Sequence, residues 1–155
     1  MSGGADETRA IGAGIARLVR GGDVVLLVGS LGAGKTTLVQ GLVAALGSDE
    51  PATSPTFTLA HTYCTTPPVT HVDLWRLEHL QEVVDLALEE VLDEGGVLVA
   101  EWGEAAEPLY GADALVVHLG WGRTDDERTI SFEAHGGSWA SRAAGLSEAL
   151  KAGTG

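Results

Sequence analysis

Lys35 and Thr36 close an eight-residue run, Gly29-Ser30-Leu31-Gly32-Ala33-Gly34-Lys35-Thr36, in a chain with one other lysine, Lys151. The run fits G-x-x-x-x-G-K-[ST] at each fixed position. Each residue type there has a chemical use. Glycines let the backbone curl so that successive N–H groups point inward, at a helix N-terminus whose dipole favours anions. A lysine at the end of the loop reaches the β- and γ-phosphates as a point charge, and the following threonine offers a hydroxyl to Mg²⁺. The loop therefore reads as a nucleoside triphosphate site.

Phosphoryl transfer from a Mg-nucleotide also needs acids beside the metal and something to orient the attacking group. Two apolar segments end in one: "GVLVAEW" delivers Glu101 and "VTHVDLW" delivers Asp73. In open α/β sheets such groups belong at the carboxyl ends of strands beside the loop. Both acids are candidates for either role, holding the metal or orienting water. His71 lies two residues before Asp73, hence on the same strand face, as a packed or a functional histidine. "TSPTFTL", residues 53–59, occupies the place of a switch segment, with Thr56 offering a hydroxyl toward the γ-phosphate. Trp75 and Trp102 follow the two acids. Packing is the first expectation for both and nucleotide stacking the second, with Trp102 kept among the nucleotide contacts.

These groups require a scaffold that aligns them, and the rest of the chain supplies its elements. A helix is predicted over Asp6–Arg20, with Ile11, Ile15, Leu18 and Val19 on one face. "DVVLLV" is a buried strand, and a helix over Thr36–Leu46 ends at Gly47. "TFTLAHTYC" and "VTHVDLW" are strands joined by a Pro67-Pro68 turn; Leu80–Leu92 is helical with a break. "VLVAE" follows Gly95-Gly96, strands recur near Ala114–Leu119 and Thr129–Ala134, and a helix runs from Ser138 to about 151. Apolar strands interleaved with helices predict an α/β domain: a P-loop NTPase with a mainly parallel central sheet, flanking helices and an antiparallel C-terminal hairpin. The 155 residues fit a single domain, its core at about 5–134.

Composition narrows the partners. Nine basic against 22 acidic residues give a formal charge of −13. Such a chain repels a polyphosphate backbone, so direct nucleic-acid binding is disfavoured; the acidity suits a partner with a basic surface or serves solubility alone. No apolar run approaches the ~20 residues of a membrane span, and the N-terminus lacks a signal-peptide layout, so a cytoplasmic protein without membrane contact is expected. The lone cysteine, Cys64, excludes an internal disulfide and is expected as a small buried hydrophobe in a strand. Guanine specificity normally carries an N-K-x-D motif, and this chain has no asparagine; ATP follows by elimination. A small-molecule or nucleotide kinase is the enzymatic rival. Such enzymes usually carry an arginine-bearing lid, whereas the seven arginines here are scattered. A nucleotide-gated binding module without functional hydrolysis is the non-enzymatic rival.

"GDVVLLVGSLGAGKTTLVQGL", "SPTFTL", "HVDLWRL", "LALEEVL" and "VLVAEWGE", in this order and spacing, resemble the bacterial TsaE (YjeE) family, as does the opening "DETRAIGAGIARLV". The resemblance spans about residues 5–134 and is more specific than the phosphate loop alone. It implies a small Mg²⁺-dependent ATPase that docks on the TsaB–TsaD pair and supports its turnover in making threonylcarbamoyladenosine beside the tRNA anticodon, with tRNA contacted through the partners. It implies that Thr36, Glu101 and Asp73 serve the metal and that Lys35, Glu101 and Asp73 serve catalysis. It also implies that Gly32, Ala33, Gly34, Lys35, Thr36 and Thr37 cradle the phosphates, with Thr8 near the adenine and Arg128 near the nucleotide. Two positions depart from the family pattern: Ser30 stands where an acid is usual, and Trp75 where tyrosine is commoner.

Overall fold

The computed structural model of the protein describes residues 3–29, 33–49, 60–74, 81, 88–142 and 144–148. Its frame is a six-stranded sheet of β1 (Val24–Gly29), β2 (Ala60–Tyr63), β3 (Val69–Asp73), β4 (Val97–Glu101), β5 (Ala114–Trp121) and β6 (Arg128–His135), in the order β2-β3-β4-β1-β5-β6. The three central pairings, β3–β4, β4–β1 and β1–β5, are parallel. Both outer pairings are antiparallel. The P-loop α/β sheet with an antiparallel C-terminal hairpin is thus as the sequence predicts.

Burial explains the strand composition. Side chains alternate across a strand, so a sheet covered on both faces needs apolar residues at odd and even positions alike. On one face Val25, Leu27, Val97, Val99, Leu115 and Val117 pack under α1 (Ala5–Ala16) and α2 (Lys35–Ala45). On the other, Leu26, Val72, Leu98, Ala100 and Val116 meet Leu74, Leu88 and Ala106. Leu88 leads into the short α3 (Glu89–Asp93), and Ala106 precedes α4 (Glu107–Tyr110).

The α1–α2 pair approaches at backbone distance. A methyl placed on Gly12 would lie 2.1 Å from the Leu38 carbonyl oxygen, and one on Gly41 would lie 1.9 Å from that of Arg9. Neither contact is with the flexible end of a side chain, so either substitution forces the helices apart. That spacing sets where α2 begins and therefore where Lys35 and Thr36 stand.

Three features differ from the sequence expectation. Helix α1 stops at Ala16 instead of Arg20, because the amides of Leu18 and Val19 both turn to the Ile15 carbonyl while Asp23 Oδ2 accepts from the Arg20 amide at 2.6 Å. Cys64 is exposed, not buried: the β2–β3 ladder ends at Tyr63–Val69, and alternation turns the next residue away from the face that Tyr63 fills. The C-terminal helix is interrupted, with α5 (Gly137–Ala140), a turn at Ser141–Arg142 and helix again over 144–148. Within Leu80–Leu92, Gln81 and Glu89–Asp93 are helical, while 82–87 lie outside the described residues.

Candidate functional site

Strand β1 delivers the loop, and its neighbours deliver the acids. In register, Leu27 of β1 stands beside Glu101 of β4, and Asp73 of β3 stands on the other side of Glu101. All three side chains leave the sheet on the α2 side. Two strand ends and one helix start therefore converge at the carboxyl edge of the sheet, where open α/β folds place their ligands.

The helix start has the chemistry of an anion cradle. Gly34 adopts φ 101° and ψ 17°, a left-handed conformation that favours glycine, and α2 begins at the next residue with no side-chain cap and no acidic residue in its first turn. First-turn amides have no intrahelical acceptor, so they point out of the helix end with its positive dipole. A Cβ on Gly34 would meet Thr8 Cγ2 at 3.7 Å, Leu119 Cδ2 at 3.9 Å and Arg128 Cγ at 4.0 Å. Thr8 and Arg128, far apart in sequence, thus both flank the loop. Thr8 is buried and its hydroxyl donates to the Gly4 carbonyl at 3.1 Å. The Arg128 guanidinium donates to the Glu127 carbonyl at 2.9 Å and lies 3.9 Å over the Trp121 ring.

Lys35 Nζ donates to the Gly29 carbonyl at 2.7 Å and sits 4.2 Å from the centre of the Trp102 ring. The side chain is only 5% exposed. Burial lowers its pKa from the ordinary lysine value, and the charges of Glu101, Glu104 and Asp73 oppose that shift. Trp102, half-buried, holds φ 57° and ψ 45°, a left-handed conformation rare for a bulky residue. Strain of this kind collects at functional sites, and here it presents the indole to the lysine.

The acids meet the loop directly. The Thr36 hydroxyl lies 3.0 Å from both Glu101 oxygens, so it donates to the carboxylate across 65 residues of chain. His71 Nε2 lies 2.6 Å from Glu101 Oε2. Glu101 is 4% exposed and His71 is fully buried. Asp73 is half-buried and contributes to the field on Lys35. A hydroxyl and two carboxylates beside a lysine and an anion-favouring helix end form an oxygen-rich donor set that fits Mg²⁺ with a polyphosphate.

The structure brings together Thr8, Ala33, Gly34, Lys35, Thr36, Asp73, Glu101, Trp102 and Arg128; Thr37 continues the first turn of α2. Gly32, Thr56, Ser30 and Trp75 lie outside the described residues. The sequence does not single out Glu104, whose charge bears on Lys35, nor Trp121, which carries the Arg128 guanidinium. Glu104 follows Glu101 by three residues and was within reach of a spacing argument. The Trp121–Arg128 pairing depends on hairpin register.

The comparisons agree with this geometry. The family model described as "Threonylcarbamoyl adenosine biosynthesis protein TsaE" matches residues 3–130. The chain is similar to the tRNA threonylcarbamoyladenosine biosynthesis protein TsaE of Streptomyces coelicolor, 41% identical over 85% of this chain and 93% of that protein. Its likeness to the protein of the same description from Bacillus subtilis is 38%, over 84% of this chain and 82% of the other. Among solved structures, the crystal structure of YdiB from Bacillus subtilis superposes with a TM-score of 0.75 at 30% identity, over 93% of this chain and 89% of that one. A match over most of the length, on a fold that places the glycine loop against the strand-end acids, means that this chain belongs to the TsaE family of threonylcarbamoyladenosine biosynthesis proteins.

Proposed function

We propose that the protein binds ATP with Mg²⁺ and hydrolyses it slowly as a component of tRNA threonylcarbamoyladenosine formation, docking on the TsaB–TsaD pair and supporting its turnover. The observation that carries this reading is the contact of Thr36 with Glu101 at 3.0 Å, the meeting of loop hydroxyl and strand-end carboxylate that a Mg-triphosphate requires. Thr36, Glu101 and Asp73 would hold the metal, which supplies charge neutralisation on the phosphates. Lys35 contributes a fixed positive charge at the β- and γ-phosphates. One of the two acids orients the attacking water and accepts its proton as the water oxygen bonds to the γ-phosphorus and ADP departs. The charge of −13 supports docking on a basic partner surface, with tRNA contacted through the partners. A cytoplasmic location accords with that role.

Titration calorimetry with ATP, with and without Mg²⁺, tests binding. Release of label from the γ-phosphate as inorganic phosphate tests hydrolysis. The expected result is a Mg²⁺-dependent heat, slow phosphate release that rises when TsaB and TsaD are added, and loss of release in Lys35→Ala. Absence of a Mg²⁺-dependent heat from folded protein would overturn the reading, and label on a metabolite would convert it to a kinase.

A further inference from the structure

Resting on the assignment of Thr36 and Glu101 to the metal, we propose that His71 is a positioning residue that fixes the Glu101 carboxylate with Oε1 turned to Thr36. His71 and Glu101 stand on adjacent parallel strands, His71 beside Val99 and Glu101 two residues further along the same face. A carboxylate oxygen accepts, so Nε2 carries the hydrogen and donates to Oε2 at 2.6 Å. Oε2 is thereby engaged twice, by His71 and by Thr36, whereas Oε1 meets Thr36 at 3.0 Å.

The ring itself is held. Tyr63, 1% exposed, lies nearly parallel to it at 6.4 Å between centroids and closes it off from the sheet edge. His71 Nδ1 is buried without a hydrogen-bond partner among the described residues. Here one nitrogen is left unmet while the other is spent on the acid. A buried group that orients a ligating carboxylate typically affects metal affinity by 10–100-fold.

Asparagine and glutamine separate this role from packing. The amide nitrogen of glutamine stands near the place of Nε2 and reaches Glu101; that of asparagine stands near Nδ1 and does not. Fluorescence of N-methylanthraniloyl-ATP bound to wild type, His71→Gln and His71→Asn is titrated with Mg²⁺, and nucleotide affinity is measured separately in EDTA. His71→Asn is expected to weaken the apparent Mg²⁺ affinity by about 10–100-fold. In His71→Gln it should stay within about threefold of wild type, with affinity in EDTA the same in all three. Equal losses in both variants, no loss in His71→Asn, or failure of His71→Asn to fold would overturn the inference by assigning the ring to packing. A wild type that binds nucleotide without regard to Mg²⁺ overturns the ATP reading as well, so the two failures are distinguishable.

Discussion

Two buried charged clusters sit at opposite places in this fold. At the C-terminal end, Arg142 is 6% exposed and uses all five of its N–H donors: on Ser138 O, on Leu18 O, twice on Asp23, and on Ser138 Oγ. Its guanidinium also lies 3.8 Å over the Trp139 ring. At the glycine loop, Glu101 is as deeply buried, but His71 Nδ1 has no partner among the described residues, and Lys35 sits where burial works against its charge. The Arg142 guanidinium is saturated and ties the C-terminal region to the α1–β1 turn, although Trp139 Nε1 beneath it has no hydrogen-bond partner among the described residues. The second is arranged around groups whose best partners would be a metal and an anion. The charges of the first cluster are matched within the fold, whereas the buried lysine and carboxylate of the second suit a bound metal and anion.

Arg142→Met should break that comparison most severely. Removing one partner of a buried pair leaves Asp23 uncompensated, at a cost of about 3–5 kcal/mol. Denaturant unfolding would show it as a lower midpoint, while the folded fraction should bind and hydrolyse ATP as wild type does. Glu101→Gln inverts the pattern. The amide keeps an oxygen for Thr36, so stability should change little, but phosphate release should fall about 100-fold. If Glu101→Gln instead lost stability and kept turnover, the two clusters would be alike and the distinction wrong.

A smaller effect sharpens the contrast through pH. A lysine whose pKa is lower folded than unfolded binds fewer protons in the native state, so its burial destabilises below the folded pKa. Stability is regained as pH rises from there toward the ordinary value of 10.5. Urea unfolding of wild type and Lys35→Met should therefore differ most below the folded pKa, with the variant more stable, and converge at alkaline pH. A constant difference would contradict the lowering of the lysine pKa by burial. The least effect is expected at the exposed His118–Glu133 pair on the β5–β6 hairpin, where the hydrogen bond and charge of His118 lower the Glu133 pKa. Its contribution is present above 4.5 and is lost as pH falls through the folded value. Glu133→Gln should barely move the melting temperature at neutral pH, and the difference should vanish in acid.

The glycine loop, both strand-end acids and the order of the main elements were legible from local patterns. Periodicity reports burial and glycine reports special backbone, and both are properties of short segments. What was hidden is equally physical. Cys64 looked apolar enough for a strand interior, yet one residue past the end of a ladder decides its exposure. Asp23 and Arg142 are 119 positions apart, and no spacing rule connects them. His71 was legible as a strand residue on the same face as Asp73, while its partner across the β3–β4 register was not.

By itself, then, the amino-acid order determined the chemistry offered: a glycine run ending in lysine and threonine, acids closing apolar segments, and a charge of −13. Only the folded sheet decided which of these groups meet. Parallel register set Glu101 between Asp73 and Leu27, and the glycine-mediated approach of α1 to α2 set Thr36 against it. The reason is that residue type carries functional groups, whereas distances between remote groups follow from how elements pack, and packing is written in no single segment.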